Sequence, residues 1–303
     1  MERRIPSKDE VLGYLRKDRN WGRWGPDDQV GAVNLVTPEK RLAACKLVRS
    51  GRAVSLGREY PKIPAGYQIP DNKYIKHNDF GRFGSAVDYF FGPLYHGTAG
   101  THMDALCHQW VDHEMWNGRN SDECVTDQSA EWGSIHHWKE GIITRGVLLD
   151  VLKHRGGQFV TMDKPVQGWE LEDIVKKEGL TLEPGDALVV NCGRDVSDPP
   201  WESTDKRQEG RAGLHGSCLK FIRQSDCCLL VWDMKDHTPN EYGLQWTVGL
   251  AAYAYGIAFV DNAYLEPLAK ACAEEGRYEF MLTVSPLQVV GGTGSPVNPI
   301  ALL

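Results

Sequence analysis

The sequence predicts an α/β fold in one domain, on three observations. From residue 143 onward, short apolar runs alternate with segments of helical period, the pattern of a sheet flanked by helices. That alternation runs to the C-terminus without a linker, an internal repeat or a low-complexity tract. The length of 303 residues is enough for one large domain, which buries roughly three quarters of the surface its unfolded chain exposes. We therefore expect a single domain over 1–303 with a peripheral N-terminal segment at about 1–50.

Taken in order, Ser7 to Glu10 reads as a capping box opening a short helix through Val11, Leu12 and Leu15. Thr37-Pro38 opens a second helix that carries Leu42, Leu47 and Val48 and stops at Gly51. Between them, NWGRWGPDDQVGAVN is aromatic and turn-rich. Ala53 to Leu56 reads as a strand, and the stretch from Pro61 to Gly92 as irregular, with too many turn residues for a helix. Such a stretch wraps a surface, a neighbour or a site.

Strands are then expected at 143–150 (ITRGVLLD), Ala187 to Asn191, Leu229 to Trp232, Ile257 to Val260, Phe280 to Val284 and Leu287 to Val290. Helices are expected from Glu170 to Lys177, Leu219 to Arg223, Gly249 to Tyr255 and Leu265 to Glu275.

Composition narrows the function. The 34 basic and 41 acidic residues give a net charge of -7 with no long run of either sign, which argues against nucleic acid or an anionic membrane and for a small-molecule partner. MERRIPSKDE places charges where a signal peptide needs an apolar core, and the longest apolar run, GLAAYAYGIAFV, is too short for a span, so a cytoplasmic protein is expected. Eight cysteines lie scattered without CxxC spacing and read as buried thiols.

The chemistry concentrates in HGTAGTHMDALCH, residues 96 to 108. His102, Asp104 and His108 are separated by two and four residues, so an extended strand would turn all three to one face where a helix would scatter them. Imidazole and carboxylate together suit zinc or manganese, and a further imidazole suits proton transfer. Buried core histidines and a turn-capping aspartate are the structural alternative. Cys107 precedes His108, but neighbours on a strand face opposite ways, which weakens a thiol-nucleophile reading.

GTHMDALCH resembles the GTHxDxPxH signature of the cyclase family, which includes bacterial kynurenine formamidase and isatin hydrolase. The resemblance continues through WGPDDQVGAVNLVTPE, GREYP, GVLLDV, PGDALVV and GGTGSPVNPIALL, in the expected order. It implies a swivelling β/β/α fold with a mixed sheet flanked by helices, a homodimer or higher homo-oligomer, and hydrolysis of formamides or small cyclic amides with a divalent metal. By that resemblance His102 and Asp104 match metal ligands and His108 the general acid and base.

The departures are specific. Metal-dependent members carry another histidine four residues before the position of His102, where this chain has Thr98. They also supply a downstream histidine and then a glutamate at a strand end; Asp261 stands for the glutamate, and no histidine follows His237. His96 and His237 are the candidates to compensate from other positions, and Asp233 and Asp236 sit beside His237 at a strand end, in what reads as a solvated loop.

The expected metal set is thus His102, Asp104 and Asp261, holding one manganese or zinc ion or none. His108 and Asp104 are the catalytic pair, able to run eliminations, isomerisations or ring closures without metal. Thr98, His96, Trp24 and Arg194 are candidate substrate contacts. Trp21, Trp24, Trp110, Trp116, Trp132 and Trp138 could line an aromatic pocket or fill the core. GGTGSP lacks the ending of a phosphate loop and is expected to be a turn. A non-catalytic member that keeps the fold as a binding protein is the competing class, which loss of two ligands favours and retention of His108 with Asp104 disfavours.

Overall fold

A computed structural model describes residues 3–59, 72–79, 84–90, 95–98, 100–198, 210–244 and 246–303. The capping box forms as the sequence predicts. Ser7 Oγ accepts from Glu10 N and Glu10 Oε2 from Ser7 N, opening α1, Lys8–Arg16. Thr37 caps α2, Pro38–Cys45, with Pro38 in the first turn where a missing N–H costs nothing.

Between these helices the turn-rich segment forms a 3-10 turn, Gly31–Leu35, fixed by the Asp28 carboxylate, which accepts from Gly31 N and Asn34 Nδ2. Gly31 has φ +66°, and a Cβ there would stand 2.3 Å from the Gly256 carbonyl oxygen. Val11, Leu15, Ala32, Val33 and Val36 are buried in the same core as the sheet. The N-terminal segment, expected at the periphery, therefore supplies part of the core.

Along the chain the strands are β1 (Ala53–Ser55), β2 (Asn72–Asp79), β3 (Gly84–Phe90), β4 (His102–Asp104), β5 (Glu114–Met115), β6 (Arg119–Asn120) and β7 (Ile142–Asp150). Then follow β8 (Ala187–Asn191), β9 (Leu229–Trp232), β10 (Ala258–Asp261), β11 (Glu279–Val284), β12 (Gly294–Pro296) and β13 (Ile300–Leu302). Nine of them form one mixed sheet in the order β1-β13-β11-β7-β8-β9-β10-β4-β12. The central run β7-β8-β9-β10 is parallel and the outer pairings are antiparallel. Every residue of β8, β9 and β10 is buried, as continuous apolar strands covered on both faces must be.

The remaining helices are α3 (Ser121–Cys124), α4 (Val151–His154), α5 (Gly168–Lys177), α6 (Cys218–Ser225), α7 (Ala251–Tyr255) and α8 (Glu266–Glu275). In sequence, α4 and α5 stand between β7 and β8, α6 between β8 and β9, and α7 between β9 and β10. None of the described helices is long and apolar enough to cross a membrane.

Three expectations are corrected. Part of the 61–92 stretch is an antiparallel hairpin of β2 with β3, and the rest lies outside the described residues. Leu287 to Val290 is not a strand: Pro286 and the pair Gly291-Gly292 bound it, and Val290 is 77 % exposed. GGTGSP, expected as a turn, contributes β12 beside β4. Pro296 is tolerated there because β12 is the last strand of the sheet and one side of it needs no ladder partner.

Candidate active site

β4 lies between β10 and β12, antiparallel to both. Its register sets His102 opposite Asp261 on one side and Pro296 on the other. Alternation puts His102 and Asp104 on one face. The strand ends at Asp104, and His108 follows in a 3-10 turn, Leu106–His108, its N–H donating to the Ala105 carbonyl. The spacing favours a strand or turn presenting a joint site, and both are used: the turn brings His108 Nε2 round to 3.9 Å from Asp104 Oδ2.

His96 enters from the loop before β4. Its Nδ1 is 2.8 Å from Asp104 Oδ1 and its Nε2 3.0 Å from Thr293 Oγ1. The ring stacks parallel on His108, centroids 3.8 Å apart, and stands edge-on to His102 at 5.4 Å. The loop is anchored by Asn262, whose Nδ2 donates to the carbonyls of Gly97 and Gly100. Arg194, expected to face a substrate carboxylate, donates to the Thr98 carbonyl, Asn262 Oδ1 and the Asp233 carbonyl, so it braces this loop. Thr98 meets it through backbone.

His102 is fully buried, and its Nδ1 lies 3.0 Å from the Gly100 carbonyl. That contact assigns the ring proton to Nδ1 and leaves Nε2 as a lone pair. Nε2 is buried without a hydrogen bond, 3.4 Å from Asp104 Oδ1 and 3.7 Å from Asp261 Oδ2. A lone pair facing two carboxylate oxygens is repulsive unless a proton or a metal cation lies among them. Ligand atoms of His96, His102 and Asp104 fall within 4.8 Å of one another. Two imidazoles and a carboxylate are a donor set that zinc or manganese accepts, and a ligating histidine ordinarily donates its other N–H to a carbonyl, as His102 does. The residues present fit a divalent ion.

Asp261, expected as the third ligand, is otherwise engaged. The Trp232 indole N–H donates to its Oδ1, and the Lys235 ammonium pairs with its Oδ2. Both members of the ion pair are largely enclosed, at 15 % and 4 % side-chain exposure. Among the described residues, the group that could hold an ion is His96, His102 and Asp104, without Asp261.

The electrostatics follow from enclosure. Burial works to raise the Asp104 carboxyl, but the imidazoles of His108, His102 and His96 overcome it and hold the group well below the usual carboxylate range. Burial pushes His108 down to about 4 against the pull of Asp104, so the ring is neutral near pH 7. Burial pushes the Cys107 thiol up to about 12, which leaves no thiolate for nucleophilic attack.

Other expected positions lie elsewhere. Asp233 and Asp236, read as part of a solvated loop, are buried and accept from backbone: Asp233 from Cys192, Gly193, Arg194 and Met234, Asp236 from Thr247 and Gly249. His237 lies near His215, ring centroids 6.4 Å apart, and is not in the His96 group. Trp24 leans on Trp116 under Arg23, while Trp116 and Trp138 fill the core. Lys235, Thr293, Asn262 and Trp232 were not singled out from sequence; Asn262 follows directly on the end of β10 and Lys235 stands three residues past the end of β9, the one signal that could have found them.

The cyclase family model matches residues 73–236, more than half of the chain. The crystal structure of a novel cyclase superposes with a TM-score of 0.82 at 26% identity, covering 94% of this chain and 99% of that one. An isatin hydrolase bound to the product analogue thioisatinate shares the fold at TM-score 0.57 and 13% identity, over 88% of this chain and 99% of its own. Isatin hydrolase A from Labrenzia aggregata, bound to benzyl benzoate, does so at 0.55 and 13%, over 88% and 98%. No curated protein sequence matches the chain. The family match, the near-complete superposition on a cyclase and the His/Asp group built on β4 agree: this chain belongs to the cyclase family.

Proposed function

We propose that this protein is an enzyme that hydrolyses the amide, lactam or lactone bond of a small organic molecule, with one divalent ion held by His96, His102 and Asp104. The observation that carries the reading is the buried, unbonded Nε2 of His102, facing Asp104 and Asp261. Manganese or zinc held there supplies Lewis acidity toward a carbonyl oxygen.

The chain's own groups do the rest. To hold an ion, His96 would give up the Nδ1 proton it shares with Asp104 Oδ1, while Nε2–H donating to Thr293 Oγ1 fixes that ring's plane. His108 lies on top of His96 with 28 % of its side chain open to solvent, against 1 % for His102. Of the three imidazoles it is the most open to a substrate, and it takes a proton from the attacking water and returns it to the leaving group. Arg194 and Asn262 hold the loop of His96, so that the base and the ligands keep their spacing.

A metal-independent dehydration, isomerisation or cyclisation is the second reading, and a specific observation favours it. Lys235 already balances Asp261, and His96 already donates to Asp104, so both carboxylates have partners within the chain. The test is a panel of N-formyl anilines, aryl lactams and lactones, followed by pH-stat with manganese- or zinc-loaded protein. Acid release that His108→Ala cuts by about a hundredfold or more supports hydrolysis. Turnover that survives chelation contradicts the metal-assisted route and favours the second reading.

A further inference from the structure

Lys235 is the cation that the pattern of metal ligands does not explain. It stands three residues past Trp232, the last residue of β9, and its ammonium pairs with Asp261 beside His102. Its backbone has little freedom. The Lys235 carbonyl accepts from Leu214 N at 2.9 Å, and Gly213 packs so closely that a Cβ there would stand 1.9 Å from the same oxygen. On either side of it, the buried carboxylates of Asp233 and Asp236 are tied to backbone N–H groups of other segments.

Burying an ammonium and a carboxylate together is costly, and the pair persists because each neutralises the other. The consequence reaches Asp104. With Asp261 neutralised by Lys235, Asp104 is the one carboxylate facing His102 Nε2 that no Lys or Arg ammonium or guanidinium balances among the described contacts.

We propose that Lys235 sets the metal-ligand count of this site: its ammonium withdraws Asp261 from coordination and confines a divalent ion to His96, His102 and Asp104. The inference rests on the metal reading above. Lys235→Met leaves Asp261 buried and 3.7 Å from His102 Nε2, free to become a fourth ligand. It also removes a positive charge from beside the ion.

The test is a titration of the full-length apoprotein with manganese, free Mn²⁺ being read by electron paramagnetic resonance. Wild type takes up one equivalent. Lys235→Met takes up one equivalent about tenfold or more tightly, from charge and from the added ligand. Lys235→Arg keeps the charge and binds as wild type does. In the double variant Lys235→Met/Asp261→Asn the gain disappears. Should the methionine variant not fold, Lys235→Gln, which leaves Asp261 a donor, is expected to bind more tightly than wild type.

Unchanged or weaker binding by the folded Lys235 variants, beside one equivalent in wild type, overturns the inference and leaves the metal reading standing. A gain that persists in the double variant overturns the release of Asp261. If wild type and the Lys235 variants alike take up no manganese, the metal reading itself fails and the inference falls with it.

Discussion

His96 is held at both ring nitrogens, by Asp104 and by Thr293, and the second contact can be removed without touching a charge. Thr293→Val keeps the shape and deletes the hydroxyl. Groups that orient a metal-binding imidazole in this way typically contribute about 10–100-fold to metal affinity or activity. We expect a loss in that range, read as manganese affinity and turnover of the same preparation; unchanged values for both would mean that Asp104 alone orients the ring. His108→Ala and His102→Ala should separate: the first keeps its metal and loses turnover, the second loses both, as elemental analysis beside the assay will show. At this scale the sequence was legible where spacing and side-chain chemistry coincide, at His102, Asp104 and His108. His96 was legible as a candidate but not in its place beside Asp104, because five residues separate it from His102 and long-range bonds from Asn262 and Arg194 hold the described part of that loop. Lys235 was not legible, since a lysine in DMKDH reads as solvated until Asp261 is seen to lie against it.

Elements that open with a local signal were read correctly at their starts, because the signal and the structure use the same bond, whereas α2 ends at Cys45 and does not carry Leu47 and Val48 on to Gly51. Ser7 caps α1 through its own side chain, and Ser7→Ala is expected to cost about 1 kcal/mol of stability. α1 does not reach the His/Asp group through any described contact, so turnover should be unchanged; denaturant unfolding and the assay check the two halves. Gly31→Ala should cost more, of order 1–3 kcal/mol or above, because the turn needs φ +66° and a Cβ would meet the Gly256 carbonyl. A midpoint shift no larger than that of Ser7→Ala would contradict that close approach. The same scale shows where pattern fails. Leu287 to Val290 has the composition of a buried strand but is bounded by Pro286 and two glycines, and it stays at the surface. Gly294–Pro296 has poor strand propensity and pairs with β4 all the same, since an edge position asks for hydrogen bonds on one side only.

Across the molecule, the parallel centre of the sheet was the most legible part, because β8 up to Val190 and all of β9 are apolar, as strands covered on both faces must be. Long-range polar ties were the least legible. Asp186 is fully buried, paired with Lys40 of α2 at 2.6 Å and with Arg145 of β7 at 2.6 Å, and so fastens the N-terminal segment to the sheet. Asp186→Asn removes the buried carboxylate that both cations share, while Lys40 keeps Glu183 and Arg145 keeps Glu279, and breaking a buried pair costs up to about 3–5 kcal/mol. A fall of that size in unfolding free energy is expected, and a change below about 1 kcal/mol, the level of an exposed pair, would show that the tie is weak.

The central claim concerns the cation that the lone pair of His102 Nε2 implies. The most direct measurement is elemental analysis of full-length protein loaded with manganese or zinc and then dialysed extensively, beside His102→Ala treated identically. One equivalent retained by wild type and none by the variant is the result this account predicts. No metal retained by wild type, or equal retention by both, would contradict it and leave His108 and Asp104 to act by proton transfer alone.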